Sequence, residues 1–232
     1  MDTVGNARLE HILLGADGRI ALTYLEVVDA AEGGVVEQAD VDLLVLLAGG
    51  DQLTGQRKAY YEKTKLRDLA IVTLLLGTGI RVSECVGLDV EDIDFRNNGI
   101  RLIRKGGSEM VVYFGPEVEK ALKDYLESRK AISPLEGHEH ALFYSTQRKR
   151  IGVQAVENLV KKYARAITTT KKITPHKLRS TYGTTLYQET GDIYLVADVL
   201  GHKDVNTTKK HYAAMDDARR RKAATAIRLR ED

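Results

Sequence analysis

The sequence predicts an α+β fold, mainly α-helical, with one small three-stranded antiparallel sheet. Three observations carry that expectation. Residues 58–77 read as a long helix that turns apolar on nearly every face through Leu69, Ala70, Ile71, Val72, Leu74, Leu75 and Leu76, and a helix apolar all round belongs in a core. Two turn signals, Asn98-Gly99 and Gly106-Gly107, divide residues 95–114 into short strand-like pieces. From Pro116 onward helical periodicity resumes and runs toward the C-terminus.

Each element has its local reason. Residues 1–34 are acidic and glycine-containing, with one strand-like stretch over 20–28 and no recognisable chemistry. They are expected to be a short appended segment, and 35–232 a single domain of ordinary size. Residues 42–47 suit a helix core before the loop Gly49-Gly50-Asp51. Gly77 and Gly79 are expected to end the helix over 58–77. A short helix over 83–88 follows. The first hairpin places Asn98-Gly99 between Phe95 and Ile100, and the second places Gly106-Gly107 between strands over 101–104 and 110–114. Helices are then expected over 116–129, 153–167, 175–189 and 193–200, with a short one near Thr207 and a last one over 216–228.

Composition narrows the function. With 43% apolar residues the 232-residue chain can bury a substantial core. It contains no apolar run long enough to cross a bilayer and no basic-then-apolar leader, so a cytoplasmic protein without a membrane partner is expected. The single cysteine, Cys85, rules out an internal disulfide framework and fits a small buried residue on a helix. The net charge is only +2, but residues 1–56 hold 2 basic and 10 acidic side chains, and the remainder holds 33 basic and 23 acidic. A body of net +10 suits a polyanionic partner, and equally suits simple solubility.

Six residues stand out for chemistry, with Glu84 beside them. Thr174 and Pro175 are good first residues for a helix. They place His176 and Arg179 three apart near its positively polarised N-terminus, where a phosphate can bind. The same features fit a capped helix with a solvent-facing arginine. Arg81, between Ile80 and Val82 at the edge of the buried helix, needs a partner or an anion. Glu84 can orient it, either as a plain structural pair or while the outer guanidinium edge holds phosphate. Lys105 sits at a hairpin tip, as many solvated lysines do. His202 follows Gly201 just past a helix end, and Tyr212 lies among polar and small residues.

Taken singly, each has a bland structural explanation, but their order and spacing together do not. Arg81 precedes Lys105 by 24 residues and His176 by 95; Arg179 precedes His202 by 23, and His202 precedes Tyr212 by 10. The motifs Thr78-Gly79-Ile80-Arg81-Val82-Ser83-Glu84, Pro175-His176-Lys177-Leu178-Arg179 and Leu200-Gly201-His202, closing on Tyr212, resemble those of the tyrosine recombinase (phage integrase) family, which includes the Xer recombinases. The resemblance covers residue 35 to the C-terminus. It implies the tyrosine recombinase catalytic-domain fold, with Arg81, Lys105, His176, Arg179, His202 and Tyr212 as catalytic residues and Glu84 in support. The gap from His202 to Tyr212 is one residue longer than in many relatives. Family members usually carry a helical DNA-clamping domain ahead of the catalytic domain. Here an acidic stretch of about 35 residues stands in that place, too short to make such a domain. The expectation is a truncated or minimal member, or a clamp supplied from elsewhere.

The implied activity is site-specific recombination of double-stranded DNA by two transesterifications through a 3′-phosphotyrosyl intermediate. A free phenol titrates at about pH 10, so Tyr212 must lose its proton as it attacks. His176 would accept or orient that proton, and Lys105 would donate one to the departing 5′ oxygen. Arg81, Arg179 and His202 would stabilise charge on the non-bridging oxygens. The cationic set takes the part that Mg²⁺ plays elsewhere, so no metal and no cofactor is expected. The acidic group Asp89, Glu91, Asp92 and Asp94 fits a solvated connection. The resemblance further implies a homotetramer on DNA, with the alanine-rich basic segment over 216–232 docking on a neighbour or packing on its own domain. An accessory DNA-bending or clamp protein and a nucleoid location in a bacterium, phage or mobile element complete the expectation. Two alternatives are type IB topoisomerase-like relaxation, which needs no tetramer, and a truncated, non-catalytic DNA-binding member of the family.

Overall fold

The computed structural model describes residues 12–14, 20–22, 55–104, 107–167, 173–202, 205 and 208. Two short strands, β1 (Ile12–Leu14) and β2 (Ile20–Leu22), pair antiparallel with Leu13 opposite Ala21. The remaining elements in chain order are α1 (Gly55–Thr78), α2 (Val82–Gly87), a single 3₁₀ turn (Val90–Asp92), β3 (Ile93–Asp94), β4 (Gly99–Ile103), β5 (Glu109–Tyr113), α3 (Pro116–Arg129), α4 (Val153–Ile167), α5 (Pro175–Thr190) and α6 (Ile193–Leu200). The mainly helical α+β architecture with a three-stranded antiparallel sheet, in the order β3-β4-β5, is as expected. The expected helices over 42–47 and 216–228 lie outside the described residues, as does most of the strand-like stretch over 20–28.

The apolar character of α1 makes it the centre of the fold. Ala70, Ile71, Val72, Leu74 and Leu75 are fully buried, and α1 packs against α2, α3, α4 and α5. The core continues through Ile100, Leu102 and Val112 of the sheet, Leu122 and Tyr125 of α3, Val156 and Val160 of α4 and Leu178 of α5. A smaller cluster of Tyr187, Val196 and Leu200 joins α5 to α6. Cys85 lies fully buried on α2, and burial pushes its thiol up to about 12.

Two local expectations are corrected. Gly79 alone ends α1, at φ +62; Gly77 remains helical, and a side chain there would strike Val118 of α3. The first hairpin is not a two-residue turn at Asn98-Gly99. Ile93 pairs with Ile100 and Asp94 with Gly99, leaving Phe95, Arg96, Asn97 and Asn98 as the loop. The Asp94 carboxylate selects this longer turn by accepting the backbone N–H groups of Arg96 (2.9 Å) and Asn97 (3.2 Å) and the Asn97 side-chain amide (2.6 Å). The acidic connection is also more tied down than a solvated one. Asp89 pairs with Arg150, Asp92 with Arg101 (3.1 Å), and Glu91 with His140 (2.8 Å).

Candidate active site

Four separate stretches of chain meet at one turn. The end of α6 closes on Gly201 in the left-handed conformation, at φ +61. The N–H of Gly201 returns to Asp198 O (2.7 Å) and that of His202 to Ala197 O (2.8 Å), the double bond of a glycine-terminated helix. His202 is thereby held at a defined place just beyond the helix. Its Nδ1 lies 2.8 Å from the hydroxyl of Thr208, which is itself buried.

Arg81 reaches this turn from the start of α2. Its Nη2 donates to Gly201 O at 3.1 Å, 120 residues away in sequence. Glu84 clasps it from below: Oε2 accepts the Arg81 backbone N–H at 2.7 Å and Oε1 accepts Nη1 at 2.8 Å. The Arg81 side chain remains 40% exposed while Glu84 is 8% exposed, so the carboxylate is inside and a guanidinium edge faces out. The pairing and an outward cationic edge coexist.

Arg179 comes from the third turn-forming stretch, on α5. Thr174 caps that helix by accepting the Lys177 N–H at 3.2 Å, with Pro175 following as expected. Arg179 is not solvent-facing: it is 6% exposed and donates to Gly79 O through Nη1 and to Leu200 O through Nη2. It therefore bridges the turn before Arg81 to the turn before His202. Gly79 makes room for this junction, since any side chain there would overlap the ring of Tyr182. His176, three residues earlier, is exposed and does not share Arg179's burial. The expected common face thus divides into one buried and one open residue. Lys105 and Tyr212 lie outside the described residues.

One contributor escaped the sequence reading. Arg104, at the end of β4 and next to Lys105, turns inward with 13% of its side chain exposed. Nη2 donates to Val199 O at 2.9 Å and Nη1 to Asp198 O at 3.4 Å, both on the last turn of α6. Its Nε stands 3.6 Å from Glu84 Oε1, the oxygen that also accepts from Arg81. Burial holds the Arg104 guanidinium below its ordinary range, while the Glu84 charge opposes that shift. The available signal was a pair of cations, Arg104-Lys105, ahead of a glycine turn, of which only the second drew attention.

Arg81, Arg179, Arg104, Glu84 and His202 together form a cationic junction with one internal carboxylate. Such an arrangement can hold a phosphate oxygen at its open edge and stabilise added negative charge there.

A family model described as the phage integrase family matches residues 52–219. The tyrosine recombinase XerS of Streptococcus agalactiae serotype III (strain NEM316) is 37% identical over 170 residues, covering 72% of this chain and 47% of XerS. The chain spans about half the length of the curated relatives it matches. Among solved structures, XerA recombinase aligns with a TM-score of 0.65 and 25% identity over 87% of this chain and 68% of XerA. The XerH site-specific recombinase, solved in a post-cleavage complex with a palindromic difH substrate, shares the fold with a TM-score of 0.65 and 21% identity, over 84% of this chain and 53% of XerH. With the family model matched over most of its length, and with XerA sharing its architecture, this chain belongs to the phage integrase family of tyrosine recombinases.

Proposed function

We propose that residues 35–232 are the catalytic domain of a site-specific DNA recombinase, which cuts and rejoins duplex DNA through a covalent phosphotyrosyl link on Tyr212. The observation that carries this reading is the convergence of Arg81, Arg179 and His202 on the turn at 200–202, across more than a hundred residues of sequence. A DNA substrate is supported by the XerH complex and by the +10 charge beyond residue 56. Strand exchange is favoured over relaxation because the matched relatives are named recombinases.

In the proposed reaction the Tyr212 phenolic oxygen attacks phosphorus while the bond to the 5′ oxygen breaks. His176, on the open first turn of α5, takes up or orients the phenolic proton. Lys105 gives a proton to the leaving oxygen, which becomes the 5′-hydroxyl. Arg81 and His202 meet the non-bridging oxygens, and Arg179 supplies positive charge and rigidity from beneath. The second step reverses the first with a hydroxyl from the same or a partner strand, so the bond energy is conserved and neither a metal nor a nucleotide is consumed. Exchange needs four protomers on two sites, for which the segment over 216–232 is the proposed docking element. The setting is the bacterial cytoplasm, on chromosomal or mobile-element DNA, with a clamping or bending protein as partner.

The test is a set of nicked duplexes, each able to lose its short cleaved strand, incubated in excess chelator and resolved on a denaturing gel. The wild-type protein is expected to trap a covalent adduct and Tyr212→Phe none. Absence of adduct from the wild type across sites that the protein binds would refute the reading. An adduct that persists in Tyr212→Phe would move the nucleophile to another residue.

A further inference from the structure

Arg104 has no part in the reaction as described, yet it touches both the last turn of α6 and the carboxylate beside Arg81. It is nearly buried, it donates to two carbonyls on the last turn of α6, and its Nε faces the Glu84 oxygen that orients Arg81. Two guanidiniums thus share one carboxylate, Arg81 at 2.8 Å and Arg104 at 3.6 Å. The Arg104 Nε is buried and has no hydrogen bond among the described residues, so its contact with Glu84 is one of charge. Gly201 completes the arrangement: a methyl group there would overlap the Arg104 guanidinium.

We propose that Arg104 is a positioning residue of the cleavage site, locking the helix end that presents His202 to the carboxylate that orients Arg81. This rests on the recombinase reading above. The planar fork suits the task, because a single rigid group meets two carbonyls and a carboxylate at once. Without it, Glu84 keeps Arg81 alone as a cationic partner among the described residues, and the two carbonyls on α6 lose the Arg104 donor. His202 and Arg81 then shift relative to one another. A displacement of about 1 Å in such a group can slow a reaction by about 100-fold.

Arg104→Ala and Arg104→Lys separate this role from a general loss of folding. At saturating duplex, adduct formation is expected to fall on the order of 10- to 100-fold in Arg104→Ala, with DNA affinity nearly unchanged and cooperative melting retained. Arg104→Lys, which keeps the charge but loses the fork, should fall in between, and it carries the comparison alone should the alanine variant not fold. Replacing the scissile 5′ oxygen with sulfur creates a leaving group that needs no proton. The defect is expected to persist on that substrate. Recovery with sulfur would assign the effect to the neighbouring Lys105 and overturn the proposal, as would a wild-type rate in both variants.

The His202 ring signals in ¹H–¹³C spectra, assigned with His202→Asn, give a readout independent of cleavage. They should move in Arg104→Ala, and unchanged signals would overturn the proposal. A wild-type protein that forms no adduct refutes the recombinase reading and leaves this spectrum to decide the structural coupling.

Discussion

Arg81 and Arg179 carry the same side chain and serve one turn, but their surroundings assign them different costs. Arg179 is nearly buried and satisfies carbonyls on two separate turns. Truncation leaves Gly79 O and Leu200 O without their charged donor, and a hydrogen bond to a charged group is worth about 1.5–3 kcal/mol. Arg179→Ala is therefore expected to lower stability by on the order of 3 kcal/mol. Arg81 is 40% exposed and Glu84 retains Arg104 beside it, so Arg81→Ala should cost only about 1 kcal/mol. Both variants should lose DNA cleavage. Urea unfolding of the pair checks this, and equal destabilisation would contradict the assigned burial. The same contrast explains the sequence reading of Arg179. A cap followed by Pro-His-Lys-Leu-Arg marks a helix start, but whether its arginine points inward depends on the carbonyls of Gly79 and Leu200 brought there by other elements.

The connection between α2 and the sheet shows how an acidic stretch is used. Asp89 holds Arg150, Asp92 holds Arg101 and Asp94 closes the turn to β4. Glu91 meets His140 across the loop that follows α3, at 2.8 Å. The hydrogen bond to Glu91 raises the His140 pKa above the ordinary 6.5, and the same bond lowers that of Glu91 below 4.5. A raised histidine contributes stability that is full below its unfolded value and is lost as pH rises through the folded one. A depressed carboxylate contributes stability that is full above its unfolded value and is lost as pH falls through the folded one. The pair therefore stabilises most between the two ordinary values. His140→Ala should lower the melting temperature most near about pH 5.5 and least by about pH 8.5. Both groups are exposed, so the effect is small. A difference independent of pH would remove the ion pair from the account.

At the scale of the whole molecule, a helix whose C-terminal half is largely buried organises everything else. Because α1 packs against four other helices, the cationic junction rests on one core. Charge is distributed on the same scale. Residues 1–34 hold six acidic and two basic side chains, so their removal raises the net charge from +2 to +6. On the division proposed above, in which the catalytic domain begins at residue 35, they should be dispensable for folding. The truncated chain should bind duplex DNA more tightly at low salt, with the difference fading as salt rises. Binding titrations across a salt series check this. Loss of cooperative melting on truncation would show instead that the segment is part of the domain.

The sequence by itself determined the fold class, four helices to within a residue (Pro116–Arg129, Val153–Ile167, Pro175–Thr190 and Ile193–Leu200) and the family, because apolar periodicity, caps and motif spacing are local properties of the chain. It also singled out Arg81, Glu84, Arg179 and His202 before any contact among them was visible. The tertiary structure alone decided that Arg179 is buried while His176 is open, that Arg81 keeps an outward edge, and that Arg104 belongs to the same junction. The hairpin register was settled by Asp94, whose carboxylate outweighed the Asn-Gly signal. Side-chain roles of this kind depend on which backbone carbonyls and carboxylates lie within hydrogen-bond reach. Here those partners stand up to 120 residues away in sequence, and only packing around α1 brings them together.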